Sequence, residues 1–381
     1  MKLVLLLNMG GARNNGEIFT FLKNMFSDEA ILPIKSGFLR KCLAYLIASL
    51  RYFPAKKNYA QIGGASPLDA HTAALVAKLN ERYGSGELVF DYAYNYTPPF
   101  AYDKLKHYTN AEEIVLFPLY PHASLTTNKS SLKSALDAVK KLEIKAKITQ
   151  IEPFFAKTEF NEMILASIFN AAKGANPAEI NLIFSAHSLP KKMIEKGDLY
   201  EKNVVEHFEI LRTKLKLFKS VTLAYQSRLG PVEWLGPNIA EVLASITPEQ
   251  TDSFEAGGGL FGDLYANEAS SSKSPFVGEG GSFELKRFLH LAWLKADSAN
   301  TTKTSQDTPK LSGKKVLIYP ISFCIDNSET DFELAIQYAN EAKNFDFYKV
   351  VKVQNSSDEF AKFIFDIVFE RQFCGNFGIK K

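Results

Sequence analysis

The chain has 381 residues, 46% hydrophobic, 23% charged and 13% aromatic, and Lys+Arg 45 against Asp+Glu 42 leave a net charge of +3. At about 100 to 200 residues per domain, this length accommodates two compact units that bury cores without disulfides or a structural metal. Balanced charge with scattered lysines and no basic stripe argues against nucleic acid as a partner, so a small ligand is expected.

From the N-terminus, Lys2–Leu7 reads as a first strand, because its apolar run is too short for a secretory h-region. It runs into Asn8-Met9-Gly10-Gly11, where a dinucleotide enzyme would carry G-x-G-x-x-G. The third glycine is missing and no G-x-x-x-x-G-K-[ST] occurs, so neither NAD nor ATP is supported. Gly37–Pro54 is apolar with Arg40, Lys41 and Arg51 interspersed, which breaks any membrane span. It reads either as a lip touching a membrane surface or as a core helix pair.

Helical spacing around residues 72–79 precedes strands at Leu88–Tyr94, Glu113–Leu119 and Lys147–Ile151. Helix 161–172 then leads to Ile180–Ser185, Ser220–Gln226, Lys315–Ile321 and Lys349–Val353. Eight short strands alternating with helices predict parallel βαβ units. The expected fold is α/β, two similar doubly wound lobes, each with a four-stranded parallel sheet flanked by helices, over residues 1–152 and 153–381. Ligands then gather in a cleft beyond the strands' carboxyl ends.

Residues 251–313 contain 22 Ser, Thr or Gly out of 63 and read as a surface insertion, with one helix near Glu284–Ala296 and a polar, mobile tail at 297–312. Ser356 and Ser357 before Asp358-Glu359 and a spaced apolar series predict a capped helix that closes the chain.

Strand Ile180–Ser185 ends in Ala186-His187-Ser188-Leu189-Pro190, which puts His187 at a central strand's carboxyl end, facing the cleft. An imidazole there either accepts a proton near neutral pH, ligates a borderline metal such as Fe(II), or is a satisfied structural group. The other histidines, His71, His107, His122, His207 and His290, show no metal-binding spacing. Asp326, Glu329, Asp331 and Glu333 fall within eight residues. On a helix starting near Ser328, Glu329 and Glu333 share a face and raise at least one carboxyl pKa; the alternative is acids that merely complement a helix dipole. Cys42, Cys324 and Cys374 form no C-x-x-C pair, which argues for a reducing compartment and against an iron–sulfur cluster.

Several strings together resemble the ferrochelatase family, enzymes that insert ferrous iron into a porphyrin. They are Leu7–Gly11, Phe21–Asp28, Ile62–Leu68, Phe117–Ser124, Phe184–Pro190, Gly197–Tyr200, Tyr225–Pro231 with Trp234-Leu235, and Asp326–Glu333. The most specific are Phe-Ser-Ala-His-Ser-Leu-Pro and Tyr-Gln-Ser-Arg. The resemblance implies that His187 is the active-site histidine and that Glu329, on the opposite lobe, faces it across the porphyrin. These two would grip the metal, with Glu333 and Asp326 continuing an acidic path. Met9 is expected beneath the ring, with Phe26, Leu32, Ile34, Tyr120 and Trp234 as further walls and Ser124 among the porphyrin-binding residues. The implied partners are protoporphyrin IX and Fe(II), both substrates; no organic cofactor or iron–sulfur cluster is expected. The chain is expected to be a cytoplasmic monomer with peripheral contact at the inner face of the membrane.

The sequence departs from the family pattern at Ala60, Gln61, Asn95, Ala123 and Asn327. Where arginines are lost, Arg13, Arg40, Arg51, Lys56 and Lys57 are the candidate cations for substrate carboxylates. The alternatives are metallation of coproporphyrin, insertion of another divalent metal, or a tetrapyrrole or metal carrier without catalysis.

Overall fold

The computed structural model describes residues 1–228, 232–246 and 314–375. The helix expected at Glu284–Ala296 and the polar tail at 297–312 lie outside the described residues. The first lobe is built from β1 (Lys2–Asn8), α1 (Asn15–Ser27), α2 (Gly37–Ala60), α3 (Leu68–Tyr83), β2 (Leu88–Tyr94), α4 (Ala101–Leu105), β3 (Glu113–Pro118), α5 (Asn128–Lys141) and β4 (Lys147–Gln150). The second contains α6 (Thr158–Ala171), β5 (Ile180–His187), α7 (Lys191–Glu195), α8 (Tyr200–Arg212), β6 (Ser220–Gln226), α9 (Ile239–Ser245), β7 (Lys315–Pro320), a π-helix (Glu329–Tyr338), β8 (Phe347–Val350) and α10 (Asp358–Gly375).

Both sheets are four-stranded and parallel, in the orders β2-β1-β3-β4 and β6-β5-β7-β8, so the second lobe repeats the first. The strands are apolar throughout because both faces are covered. In β1, Leu3, Leu5 and Leu7 enter one core while Val4 and Leu6 enter another. The last strand starts at Phe347 rather than Lys349, since its register is set by pairing Phe347 with Lys315 rather than by local pattern.

The two lobes belong to one compact unit and share a core that includes Leu6, Phe117, Phe160, Phe184, Tyr319 and Phe360. The closing helix α10 returns to the first lobe. Phe365 stacks on Tyr83 at 4.2 Å, and Asp358 pairs with Lys78 and Arg82 at 2.5 Å each. No helix among the described residues is long and apolar enough to cross a membrane.

The carboxyl ends of the central strands open into a cleft of about 2210 Å³, larger than the roughly 300–1,000 Å³ of most small-molecule pockets. Its position follows from the loop after β1. A Cβ on Gly10, at φ +88°, would lie 2.2 Å from Thr97 Oγ1 and 2.9 Å from Tyr94 Cβ. Only glycine lets this loop lie against the end of β2 and present Met9 to the cleft.

Candidate active site

Because β5 lies between β6 and β7, the end of β5 is flanked by Gln226 and Ser227 on one side and by the segment after β7 on the other. His187 Nδ1 is 2.8 Å from Glu329 Oε2. The same oxygen accepts from Gln226 Nε2 at 3.0 Å and Ser227 Oγ at 3.1 Å. Ser185 Oγ donates to Gln226 Oε1 at 2.7 Å and so fixes which end of that amide faces Glu329. Ser227 sits in the left-handed region at φ 65°, a conformation uncommon outside glycine that recurs at functional sites. Its backbone N–H thereby reaches Glu333 Oε1 at 2.8 Å.

The expected α-helix after β7 is instead a π-helix, a wide i→i+5 turn that is rare and concentrates at functional sites. Asn327 Oδ1 accepts from Glu329 N–H at 2.7 Å and steadies its start. Glu329 and Glu333 both turn toward Ser227. The placement of Glu329 on the opposite lobe is overturned. His187 and Glu329 are side by side on the second lobe, because their strands β5 and β7 are neighbours. What faces them across the cleft is the first lobe's wall.

The charges are set mutually. Burial opposes a charged imidazole, but Glu329 beside it, by charge and hydrogen bond, and Glu333 further off, raise His187 above the usual histidine value. Burial also opposes ionisation of Glu329, yet His187 and the donors Gln226 and Ser227 hold its carboxyl below the usual range. Glu333 is pushed up, first by burial and then by the charge on Glu329. The result is an ionised Glu329 that makes the imidazole a stronger base, beside a second carboxyl that holds a proton more readily. Three donors converge on Oε2 of Glu329; among the described residues none reaches its Oε1 or His187 Nε2. These two atoms are free to meet a substrate. Among the described residues, no group of three His, Cys, Asp or Glu is placed to enclose a metal ion.

Met9, Phe26, Leu32, Tyr120 and Trp234 line the cleft as expected, and Ile34 does not. Ser124 also lines it, but its hydroxyl is 3.0 Å from Asp198 Oδ2 and committed there. Asp326 is a correction. It is 0% exposed and off the cleft lining, bonded to Asn355 Nδ2 at 2.8 Å and 3.4 Å from Lys352 Nζ. Three residues before Glu329, it precedes the π-helix and anchors the loop from behind. Of the candidate cations, Arg40 and Arg51 line the cleft, whereas Arg13 is tied to Glu17 and Lys56 and Lys57 lie elsewhere. Asn95, where the family often has arginine, donates to Ser130 Oγ at 2.8 Å.

Gln226, Ser227, Ser322 and Tyr200 have no role assigned from sequence alone. Tyr200 Oη and Ser322 Oγ are 2.7 Å apart, and His187 N–H donates to Ser322 Oγ at 3.3 Å, which steadies the strand end. The usable signal was the string Tyr225-Gln226-Ser227-Arg228 at the end of a strand next to the histidine strand.

The chain is similar to known proteins along most of its length. The profile of the family described as Ferrochelatase matches residues 2–255 and 286–372. A ferrochelatase of Campylobacter fetus subsp. fetus is 44% identical over 369 residues, covering 95% of this chain and 97% of the relative. One from Nitratiruptor sp. is 38% identical over 372 residues, covering 96% and 99%. The solved structure of SirB from Bacillus subtilis with Fe3+ overlays at a TM-score of 0.48 with 9% identity, covering 100% of this chain and 99% of that one. With relatives of this similarity along nearly its whole length, the chain belongs to the ferrochelatase family.

Proposed function

We propose that the cleft inserts Fe(II) into protoporphyrin IX to form protohaem, a lyase reaction in haem synthesis that needs no organic cofactor. Metallation removes two pyrrole N–H protons and exchanges water on iron for four ring nitrogens. It therefore calls for a base, a second proton acceptor and a metal grip loose enough to release. The observation that carries this reading is the His187–Glu329 pair at 2.8 Å in the cleft, with Nε2 and Oε1 left open. His187 Nε2 accepts a pyrrole proton, and the adjoining Glu329 stabilises the imidazolium that forms. Oε1 of Glu329 offers iron one releasable ligand, and Glu333, joined through Ser227, is placed to pass protons on.

A carrier would need neither the base nor the acidic pair, and the relatives named ferrochelatase support the catalytic reading. The test is anaerobic mixing of the protein with Fe(II) and either protoporphyrin IX or coproporphyrin, followed by the Soret band. Metallation of protoporphyrin well above the protein-free rate is expected. Rates equal to the control with both rings would leave the carrier, and a rate confined to coproporphyrin would replace the substrate.

The proposal extends to the membrane face. Phe38 (76% exposed), Leu39, Tyr45, Leu46, Leu50 and Phe53 form one outward stripe of α2, with Lys41, Lys56 and Lys57 exposed around it. The core-helix-pair alternative fails, since Ala44 and Ala48 form the buried side of this single helix. Such a stripe with flanking cations fits peripheral contact with an anionic bilayer, from which an apolar porphyrin is drawn. Co-flotation with vesicles containing anionic phospholipid is expected for the wild type and lost in Leu46→Glu/Leu50→Glu. Equal flotation of both would remove the contact.

A further inference from the structure

Four successive residues of the loop between β3 and α5, in the first lobe, are bonded to α8 and its approach in the second. His122 Nε2 is 2.9 Å from His207 Nδ1, and Ala123 N–H donates to Asn203 Oδ1 at 3.0 Å. Ser124 Oγ and Leu125 N–H both donate to Asp198 Oδ2, at 3.0 and 2.9 Å. Asp198 is buried and does not line the cleft, so it meets no substrate. Its other oxygen accepts from Tyr200 N–H at 2.9 Å. Tyr200 carries the connection onward, since its Oη is 2.7 Å from Ser322 Oγ, which accepts from His187 N–H at 3.3 Å. One carboxylate thus stands between a wall of the first lobe and the strand end that bears His187. The chain is turned toward it by Gly197, which ends α7 in the left-handed region at φ +91° and donates to Ile194 C=O at 2.8 Å. All three partners of Asp198 are donors, so an amide in its place would set its own N–H against one of them.

We propose that Asp198 is a positioning residue: one oxygen holds the first lobe's loop and the other holds the start of α8, which together fix the gap between the cleft wall at Tyr120 and Leu125 and the imidazole of His187. This rests on the proposed iron insertion and adds to it the link that registers base against ring. Such a link matters because a displacement of about 1 Å at a reacting group costs on the order of a hundredfold in rate. Ser124, which lines the cleft, then acts through Asp198 rather than on the porphyrin.

The test is a set of double-mutant cycles on iron insertion, assayed well below the Tm of each variant, with the unmodified protein as the reference. Asp198→Asn is expected to lower kcat about 10- to 100-fold while the KM for porphyrin stays within about twofold, because the walls remain and only their register with the base is lost. The bonds of His122 and Ala123 across the same seam are untouched by it. Ser124→Ala, which leaves Leu125 N–H on Asp198, should lower kcat about 2- to 5-fold, and Tyr200→Phe, which cuts the link on the base side, about 3- to 10-fold. Either cut uncouples wall from base, so each double variant that combines Tyr200→Phe with Asp198→Asn or Ser124→Ala should be no slower than its slower single variant. Should Asp198→Asn not fold, the Ser124→Ala/Tyr200→Phe cycle decides alone. A wild-type kcat in Ser124→Ala or in folded Asp198→Asn, losses that multiply in a double variant, or a raised KM at unchanged kcat each overturns the positioning role while the insertion reading stands. No insertion by the unmodified protein would remove the parent reading and this role with it.

Discussion

Replacing His187 with alanine is expected to lower kcat for iron insertion by at least about a hundredfold, the lower end of what a positioned general base contributes. Porphyrin binding, followed by fluorescence quenching, should persist, since the walls from Met9, Tyr120 and Trp234 are untouched. The loss should exceed that from any single donor to Glu329, because the substitution acts on two groups. It removes Nε2 as the proton acceptor, and it takes from Glu329 the charge that does most to keep its carboxyl ionised. With His187 gone, burial and the neighbouring Glu333 push the Glu329 pKa up, so residual activity should survive only toward higher pH. A variant that turns over near the wild-type rate, or one that no longer binds porphyrin, would show that His187 is not the base.

The second large effect is on stability toward acid. His122 Nε2 and His207 Nδ1 are 2.9 Å apart, and His207 Nε2 is 2.9 Å from Asn161 Oδ1; the two histidines are 2% and 0% exposed. Asn161 Nδ2 donates to the carbonyls of Phe155 and Lys157, so its Oδ1 must accept from His207. His207 Nδ1 then accepts from His122, which requires a neutral His207 ring, and burial favours the neutral form of both. Burial lowers the pKa of each, to about 3 for His207; the neighbouring ring adds to the effect on His122.

A base whose pKa is depressed by folding is protonated first in the unfolded chain. Stability is therefore full above the unfolded value of about 6.5 and drains as pH falls toward the folded values. With two protons taken up on unfolding, the slope approaches roughly 2 to 3 kcal/mol per pH unit in the lower part of that window. Two such units rival the roughly 5–15 kcal/mol that holds a domain together. Urea midpoints between about pH 7 and about pH 4 should fall steeply, and His207→Gln should make that limb shallower by about one proton. A variant with the wild-type slope would mean that these histidines titrate alike in both states.

The residues that carry chemistry were readable because the signals were local. A histidine that ends an apolar strand and four acids within eight residues after another strand point to a strand-end site in any parallel sheet. The strand count and pairing class were readable for the same reason, since strands covered on both faces are apolar at every position, as in β1 and β5. The roles of Gln226 and Ser227 were not. One donates an amide and the other acts through a left-handed backbone, and neither is visible until β6 lies beside β5.

By itself, the sequence determined the α/β alternation, the cleft-facing histidine, the apolar walls and the family to which the chain belongs. Tertiary structure alone decided who faces whom. Strand order put Glu329 beside His187 rather than across the porphyrin, and the packing of loops and helices sent Asp326 behind the site and joined His122 to His207. The physical reason is that propensity and periodicity act over a few residues. Neighbourhood at a strand's end is set by a sheet order that joins segments more than a hundred residues apart, such as β5 and β7.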